Sequence, residues 1–507
     1  MSKIQSLITL VHSLTHAEKK AFRIRSGRNK QQPDYLLLYD IIDKHPALSK
    51  TEIQALFAET SPGATFETTS KYLFELLLES MLTLRKEQDS FTFLYKKIIH
   101  ARMLYEKSLI SESLNILEEV IRLAEKFENH NALLLALRLE LDYLLAAGFP
   151  MMDEKTLLKK QFKLTDALKY IRKINEQSSL YEILKHRILN KGQIRTQKQK
   201  DDLNDLVFSE ISLVSSLNVD NFEISKLHQL FQSNYLISVG DYQSALNSYY
   251  ELNNLFEENK HLWNKPPIYY LHTLEGILES LRSIRNYEGM SYFIDQLKNI
   301  VCESVTFKLN VVCTTYLYEL FPLLDHGEFE KCSKLMISYR DSLYEKFNSL
   351  PRSRQAELSL YTSLVYFGNG EYQKAHKFLN QIILHGKNYF SLPLFRTIRL
   401  VNLMILYKMN DIDLIKYEIR TMMRDIGGFE RNYRIERFLF RFLSNPLPSP
   451  SFKRIQVWNK TKKELDDIKQ DLFERKILQI FDFTAWIESQ LTKIPLSEVL
   501  QQKNALL

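Results

Sequence analysis

The sequence predicts an all-α protein built from stacked antiparallel helix pairs. In 507 residues it has only 13 glycines and 13 prolines, against 45% hydrophobic residues. A sandwich or barrel needs a tight turn roughly every 8–12 residues, so this composition disfavours both. In addition, one short frame of residues recurs. In "GDYQSALNSYY", Gly240, Tyr242, Ala245 and Tyr249 stand at offsets 0, 2, 5 and 9. Downstream the frame returns as Arg285, Tyr287, Met290, Ile294, as Gly327, Phe329, Cys332, Met336, and as Gly370, Tyr372, Ala375, Leu379. A degenerate copy is Asn410, Ile412, Ile415, Ile419, and a weaker one lies upstream at Ser108, Ile110, Ser113, Leu117. From 245 to 415 the third position advances in steps of 45, 42, 43 and 40.

Each place in the frame has a physical task. A first residue able to take φ > 0 ends one helix. The aromatic two positions on plugs the bend. The small residue after it lets the second helix approach the first, and the apolar fourth residue lies on the same helical face. Such hairpins cannot bury their apolar faces alone, so neighbours must stack.

Taken in order, the chain divides into residues 1–95, 96–445 and 451–507. In the first segment, "DYLLLYDIIDKHP" (34–46), "LSKTEIQALFAE" (48–59) and "TFETTSKYLFELLLESML" (65–82) read as three helices, with Ser49 as N-cap and Glu52 three residues on. Two short helices, a turn and a longer helix outline a helix-turn-helix or winged-helix-like unit. From 96 to 445 the frame organises the chain, and about two disguised hairpins are expected between 127 and 221. "SNPLPSP" (444–450) then breaks helix, and an amphipathic pattern over 460–491 is expected to cap the last apolar face.

"GDYQSALNSYY" and "GEYQKAHKFL" resemble the G-x-Y-x-x-A-x-x-x-Y/F core of tetratricopeptide repeats, although that family's period is about 34 residues and these steps are longer. Gly240, Tyr242, Ala245, Gly327, Phe329, Cys332, Gly370, Tyr372 and Ala375 are the positions that carry the resemblance. The chain is also similar to large bacterial proteins that open with "SLT-x-x-EK-x-x-F" (here 13–22) and carry "KGQIRT" (191–196) before hairpins of this type. The resemblance implies an α-solenoid whose groove holds extended or helical segments, and it implies no activity.

Catalytic and cofactor signatures are missing. There is no phosphate-cradling G-x-x-x-x-G-K-[ST], and the pair Gly368 and Gly370 belongs to a repeat bend. There is no H-E-x-x-H, and His12 with His16 on one helix is a weak metal signal. Asp411 and Asp413 flank a bend and read as helix caps, while Cys332 fills a small-residue slot. The expectation is a protein that is no enzyme and takes no cofactor or metal. Three unpaired cysteines and no secretory or spanning segment point to a cytoplasmic chain with no membrane partner.

Charge supplies the remaining candidates. The net charge is +7, and residues 1–30 hold seven basic side chains against Glu18 alone. Lys19, Lys20, Arg23, Arg25, Arg28 and Lys30 adjoin the helix-turn-helix-like unit and could meet phosphates. A second stripe, Arg434, Arg437 and Arg441, shares one helical face beside Phe438 and Phe442 and could meet nucleic acid or an acidic peptide. The leading expectation is a non-catalytic scaffold that binds a protein or peptide. The alternative is a transcriptional or RNA-associated regulator whose N-terminal unit binds nucleic acid while the solenoid recruits a partner.

Overall fold

The computed structural model describes residues 3–26, 33–45, 48–84, 89–150, 152–191, 194, 196–215, 221–386, 389–390, 392–425, 433–445, 447, 450–471 and 473–505. Among them the chain is all-helical, with no strand, and its helices pack in neighbouring pairs. It divides into two compact units, Met1–Ile174 with His261–Pro267 and Val301–Lys308, and Asn175–Lys260 with Ile268–Ile300 and Leu309–Leu507.

The first unit opens with α1 (Lys3–Ser13), α2 (His16–Arg25), α3 (Asp34–Lys44), α4 (Lys50–Thr60) and α5 (Phe66–Leu84). The three predicted helices are α3 to α5, and Ser49 caps α4 in a full capping box with Glu52. All five helices share one core, in which Val11, Phe22, Leu38, Ile53, Phe57 and Leu73 are buried. The unit therefore has two more helices, α1 and α2, than the three the sequence predicts. Helix α2 carries little apolar periodicity, since Phe22 is its only buried residue. No wing strand is present among the described residues.

A second core in this unit joins α6 (Ser90–Glu106), α7 (Ile110–Lys126) and α8 (His130–Ala146) to Ala167 of α9 (Glu154–Lys191). Between 127 and 221, where two hairpins are expected, α8 lies against the first half of one long helix, with Lys160 reaching Glu140 and Tyr170 stacking on His130. Helix α9 runs unbroken for 38 residues, because no glycine or proline interrupts 154–191. After it come the short α10 (Gln197–Asp201) and α11 (Asn204–Ser215).

From Phe222 onward the chain continues with five helix pairs in succession: α12 (Phe222–Ser238) and α13 (Tyr242–Glu258), α14 (Ile268–Ser283) and α15 (Tyr287–Lys298), α16 (Val305–Asp325) and α17 (Phe329–Ser338), α18 (Arg352–Gly368) and α19 (Tyr372–Leu384), and α20 (Pro393–Lys408) and α21 (Ile412–Asp425). The first frame position has positive φ in all six copies, from +60° at Arg285 to +81° at Gly240. Two hydrogen bonds close each bend. Gly240 N–H donates to Ile237 O (3.1 Å) and Asp241 N–H to Leu236 O (3.0 Å), and the same pair forms at Ser108, Arg285, Gly327, Gly370 and Asn410. This is the Schellman arrangement, which satisfies carbonyls orphaned at the helix end. The next residue already caps the following helix: Asp241, Asn286 and Asp411 each accept a backbone N–H three residues on.

In all six copies the second frame position is the first residue of its helix and the third is buried. The close approach allowed at that third position is visible in hydrogen bonds from one helix to its partner. Ser113 Oγ donates to Ala101 O (2.7 Å), and Ser363 Oγ donates to Ala375 O (2.8 Å). The aromatic at the second position does more than plug its own bend. Tyr287 meets His326, and the Phe329 ring fills the space beside Gly368, each about one repeat ahead.

Beyond residue 450 the chain is helical again. Helix α22 (Arg434–Ser444) precedes this residue, and α23 (Ser451–Gln470), α24 (Arg475–Ile480), α25 (Phe483–Thr492) and α26 (Leu496–Ala505) follow. Trp486 of α25 is fully buried against Tyr407 and Phe442, near the last hairpin. The segment is nevertheless more than an end cap. Its remaining helices reach back to the bends between α14 and α17, because Arg282 and Arg285 find acceptors there in Gln479 and Asn504.

Candidate interaction surfaces

Four of the N-terminal basic candidates lie on α2, and three of these are engaged. Lys19 Nζ is 2.6 Å from Asp43 Oδ1, Arg23 Nη2 is 2.9 Å from Asp40 Oδ1, and Arg25 Nη2 is 2.6 Å from Glu79 Oε2. Lys20 is exposed, and Arg28 and Lys30 lie outside the described residues. The carboxylates of α3 and α5 thus offset much of the charge that the sequence displays in isolation. The "SLT-x-x-EK-x-x-F" residues turn out to be structural in placement. Thr15 and Glu18 form the capping box of α2, and Leu14 and Phe22 enter the core. His12 Nε2 is 2.9 Å from Ile42 O, at the α1–α3 contact. In "KGQIRT", Ile194 joins a small core with Leu184, Leu206 and Phe231, and Thr196 caps α10.

The second stripe is divided by burial. Phe438 and Phe442 are buried, and the Arg441 guanidinium lies 5.5 Å from the centre of the Phe438 ring, so the rings pack within the protein and present little surface to a partner. Arg434 pairs with Asp471 (3.4 Å) and Arg441 with Glu464 (2.6 Å), both acids coming from the C-terminal segment. Arg437 is exposed on the same helix.

The most developed polar arrangement lies outside the repeat frame. A cleft of about 510 Å3 in the second unit lies between the bends after α14 and α16 and the segment 469–504. On its wall Arg282 is buried and grips Asp325 in a two-bonded fork, Nε to Oδ2 at 2.8 Å and Nη2 to Oδ1 at 2.7 Å. Its Nη2 also donates to Gln479 O at 2.8 Å, and its guanidinium stands 3.9 Å from the centre of the Phe321 ring. Asp325 Oδ2 accepts from the Tyr287 hydroxyl at 3.2 Å. Burial and the neighbouring carboxylate push the Tyr287 phenol above its ordinary range. Asn504 Nδ2 donates to Asp325 O (2.7 Å), while its Oδ1 accepts from Arg285 (2.6 Å). The charges are matched and the donors used, so this is an arrangement for holding elements together. No local signal could have exposed it, because its partners lie far apart in the chain.

Cys313 and Cys332 are both buried. Burial pushes the Cys332 thiol up to about 12 and the Cys313 thiol higher still, where neither forms thiolate near neutrality. Asp411 accepts the Leu414 N–H at 3.2 Å and serves as a cap. Among the described residues no group of three His, Cys, Asp or Glu could hold a metal, and no helix is long and apolar enough to cross a membrane.

These features define the class as an all-helical protein of tightly joined hairpins. No family profile matches the chain, and no curated protein matches it.

Proposed function

We propose that the chain is a non-catalytic scaffold or adaptor that binds a protein or peptide, with its hairpins stacked into a tetratricopeptide-like superhelix. The observation that supports this most is the repeated joint. Six bends share one backbone conformation, one hydrogen-bond pair and one buried third position. Identical joints turn successive helices through similar angles, and a rigid stack presents preformed pockets to a partner at little ordering cost. The ion pairs of Lys19, Arg23 and Arg25 favour this reading over the regulator, since charges already paired release fewer counterions from a phosphate backbone.

The test is affinity capture from native host lysate after nuclease treatment, followed by calorimetry with the purified partner. A saturable complex that persists in moderate salt supports the scaffold. Recovery of nucleic acid alone, with tight duplex or RNA binding and a steep salt slope, overturns it in favour of the regulator.

A further inference from the structure

A groove of about 670 Å3 opens on the five-helix bundle of α1 to α5, lined from α1, α4 and α5. Its wall is mainly apolar, with Ile4, Phe74 and Leu78. Leu78 is 46% exposed, and Leu82, one turn further along α5, is 61% exposed. Helical spacing puts Lys71, Phe74, Glu75, Leu78 and Leu82 along one side of α5, and the first four of these line the groove together. Four charged side chains share it: Lys50, Glu67, Lys71 and Glu75, two of each sign and all exposed. None of the four makes an ion pair among the described residues. Lys71 stands one helical turn from Glu67 and one from Glu75, the spacing at which opposite charges on a helix can meet, yet it pairs with neither.

We propose that this face of α5 is a contact between two copies of the chain. A two-fold contact uses one surface twice, so that surface must carry both an apolar side chain and the groove that takes it, and its charges must balance. The α5 face meets these conditions. The two α5 helices lie antiparallel, Leu78 of each copy enters the groove of the other, and Lys71 of each copy meets Glu75 of the other. An axis passing between positions 71 and 75 forms both ion pairs at once, and such pairing fixes the register of the contact. Nucleic acid or an anionic membrane gains little from a face whose lysines and glutamates are equal in number. An unrelated protein would have to supply both the apolar side chain and the alternating charges, which a second copy already carries. The contact involves only the N-terminal bundle and does not depend on what the hairpins bind.

The experiment is sedimentation velocity of the full chain over a concentration series from low to high micromolar. A reversible equilibrium between monomer and dimer is expected. Leu78→Asp puts a carboxylate into the apolar contact and should weaken association at least about 100-fold. Lys71→Glu and Glu75→Lys each turn two attractions into repulsions and should each weaken it about tenfold. An equimolar mixture of these two variants restores both pairs across the contact, so it should dimerise about as tightly as wild type. Positions 71, 75 and 78 are exposed, and unchanged thermal melts verify that the variants fold. Three outcomes overturn the proposal. The first is a monomer at every concentration, which leaves the groove to another occupant. The second is a dimer that none of these substitutions weakens, which puts the contact elsewhere. The third is weakening in the single charge variants without recovery on mixing, which removes the pairing of Lys71 with Glu75.

Discussion

The ring of Tyr249 occupies the space that a side chain on Gly276 would need. A Cβ built on this mid-helix glycine of α14 would fall inside the Tyr249 ring, far closer than any van der Waals contact. Tyr249 is the fourth frame residue of α13, so the glycine is where one hairpin lets the next approach. Gly276→Ala should destabilise the protein by about 1–3 kcal/mol through overpacking, measured by urea denaturation. In a Tyr249→Val background the same change should cost less, because the obstructing ring is gone.

Two bend glycines with similar φ should respond differently to alanine. Gly370 (φ +78°) has open space around its missing Cβ, whereas at Gly327 (φ +71°) a Cβ would stand 2.9 Å from the Ser497 backbone. Gly370→Ala should cost only the left-handed strain, about 1–2 kcal/mol. Gly327→Ala should cost more and should also loosen α26. Hydrogen exchange over 496–505 checks this: faster exchange is expected in Gly327→Ala and wild-type exchange in Gly370→Ala.

Removing the carboxylate of Asp325 leaves the Arg282 guanidinium buried without its counter-charge. Asp325→Ala should cost about 3–5 kcal/mol, as a broken buried pair does. Replacing both residues, by Arg282→Met with Asp325→Leu, should recover much of that loss. A double-mutant cycle on denaturation midpoints gives the coupling, and additive losses would show that the pair acts separately.

His130 stacks on Tyr170, with ring centres 4.4 Å apart, and burial holds its imidazole below the usual value. The unfolded chain therefore takes up this proton first as pH falls. The contribution is complete above the ordinary histidine pKa of about 6.5 and is lost progressively below it. His130→Phe keeps the ring stack and removes the titration. Its stability should fall less steeply than wild type on acidification, as read by denaturation at a series of pH values.

The hairpin joints were legible because every constraint on them is local: a left-handed residue, a cap, an aromatic and a small residue within ten positions. That is why Gly240, Tyr242 and Ala245 predicted their own geometry. The rest depended on distance. Lys19 and Arg25 carry full charge in the sequence, and only the fold brings Asp43 and Glu79 beside them. The unbroken α9 hid because a stretch without breakers suits one long helix as well as two short ones.

Arg282 receives its last acceptor, Gln479 O, from 197 residues further along. Its hairpin can pair with neighbours as soon as the intervening helices exist, because those contacts are short in sequence. The edge near Asp325 is finished only when residues 479–504 arrive. Folding should accordingly separate in time, with rapid helix pairing through the middle of the chain and a later closure set by long-range contacts. Until that closure the Arg282 guanidinium still faces water, so a charge that the finished chain buries is the one its half-made form leaves open.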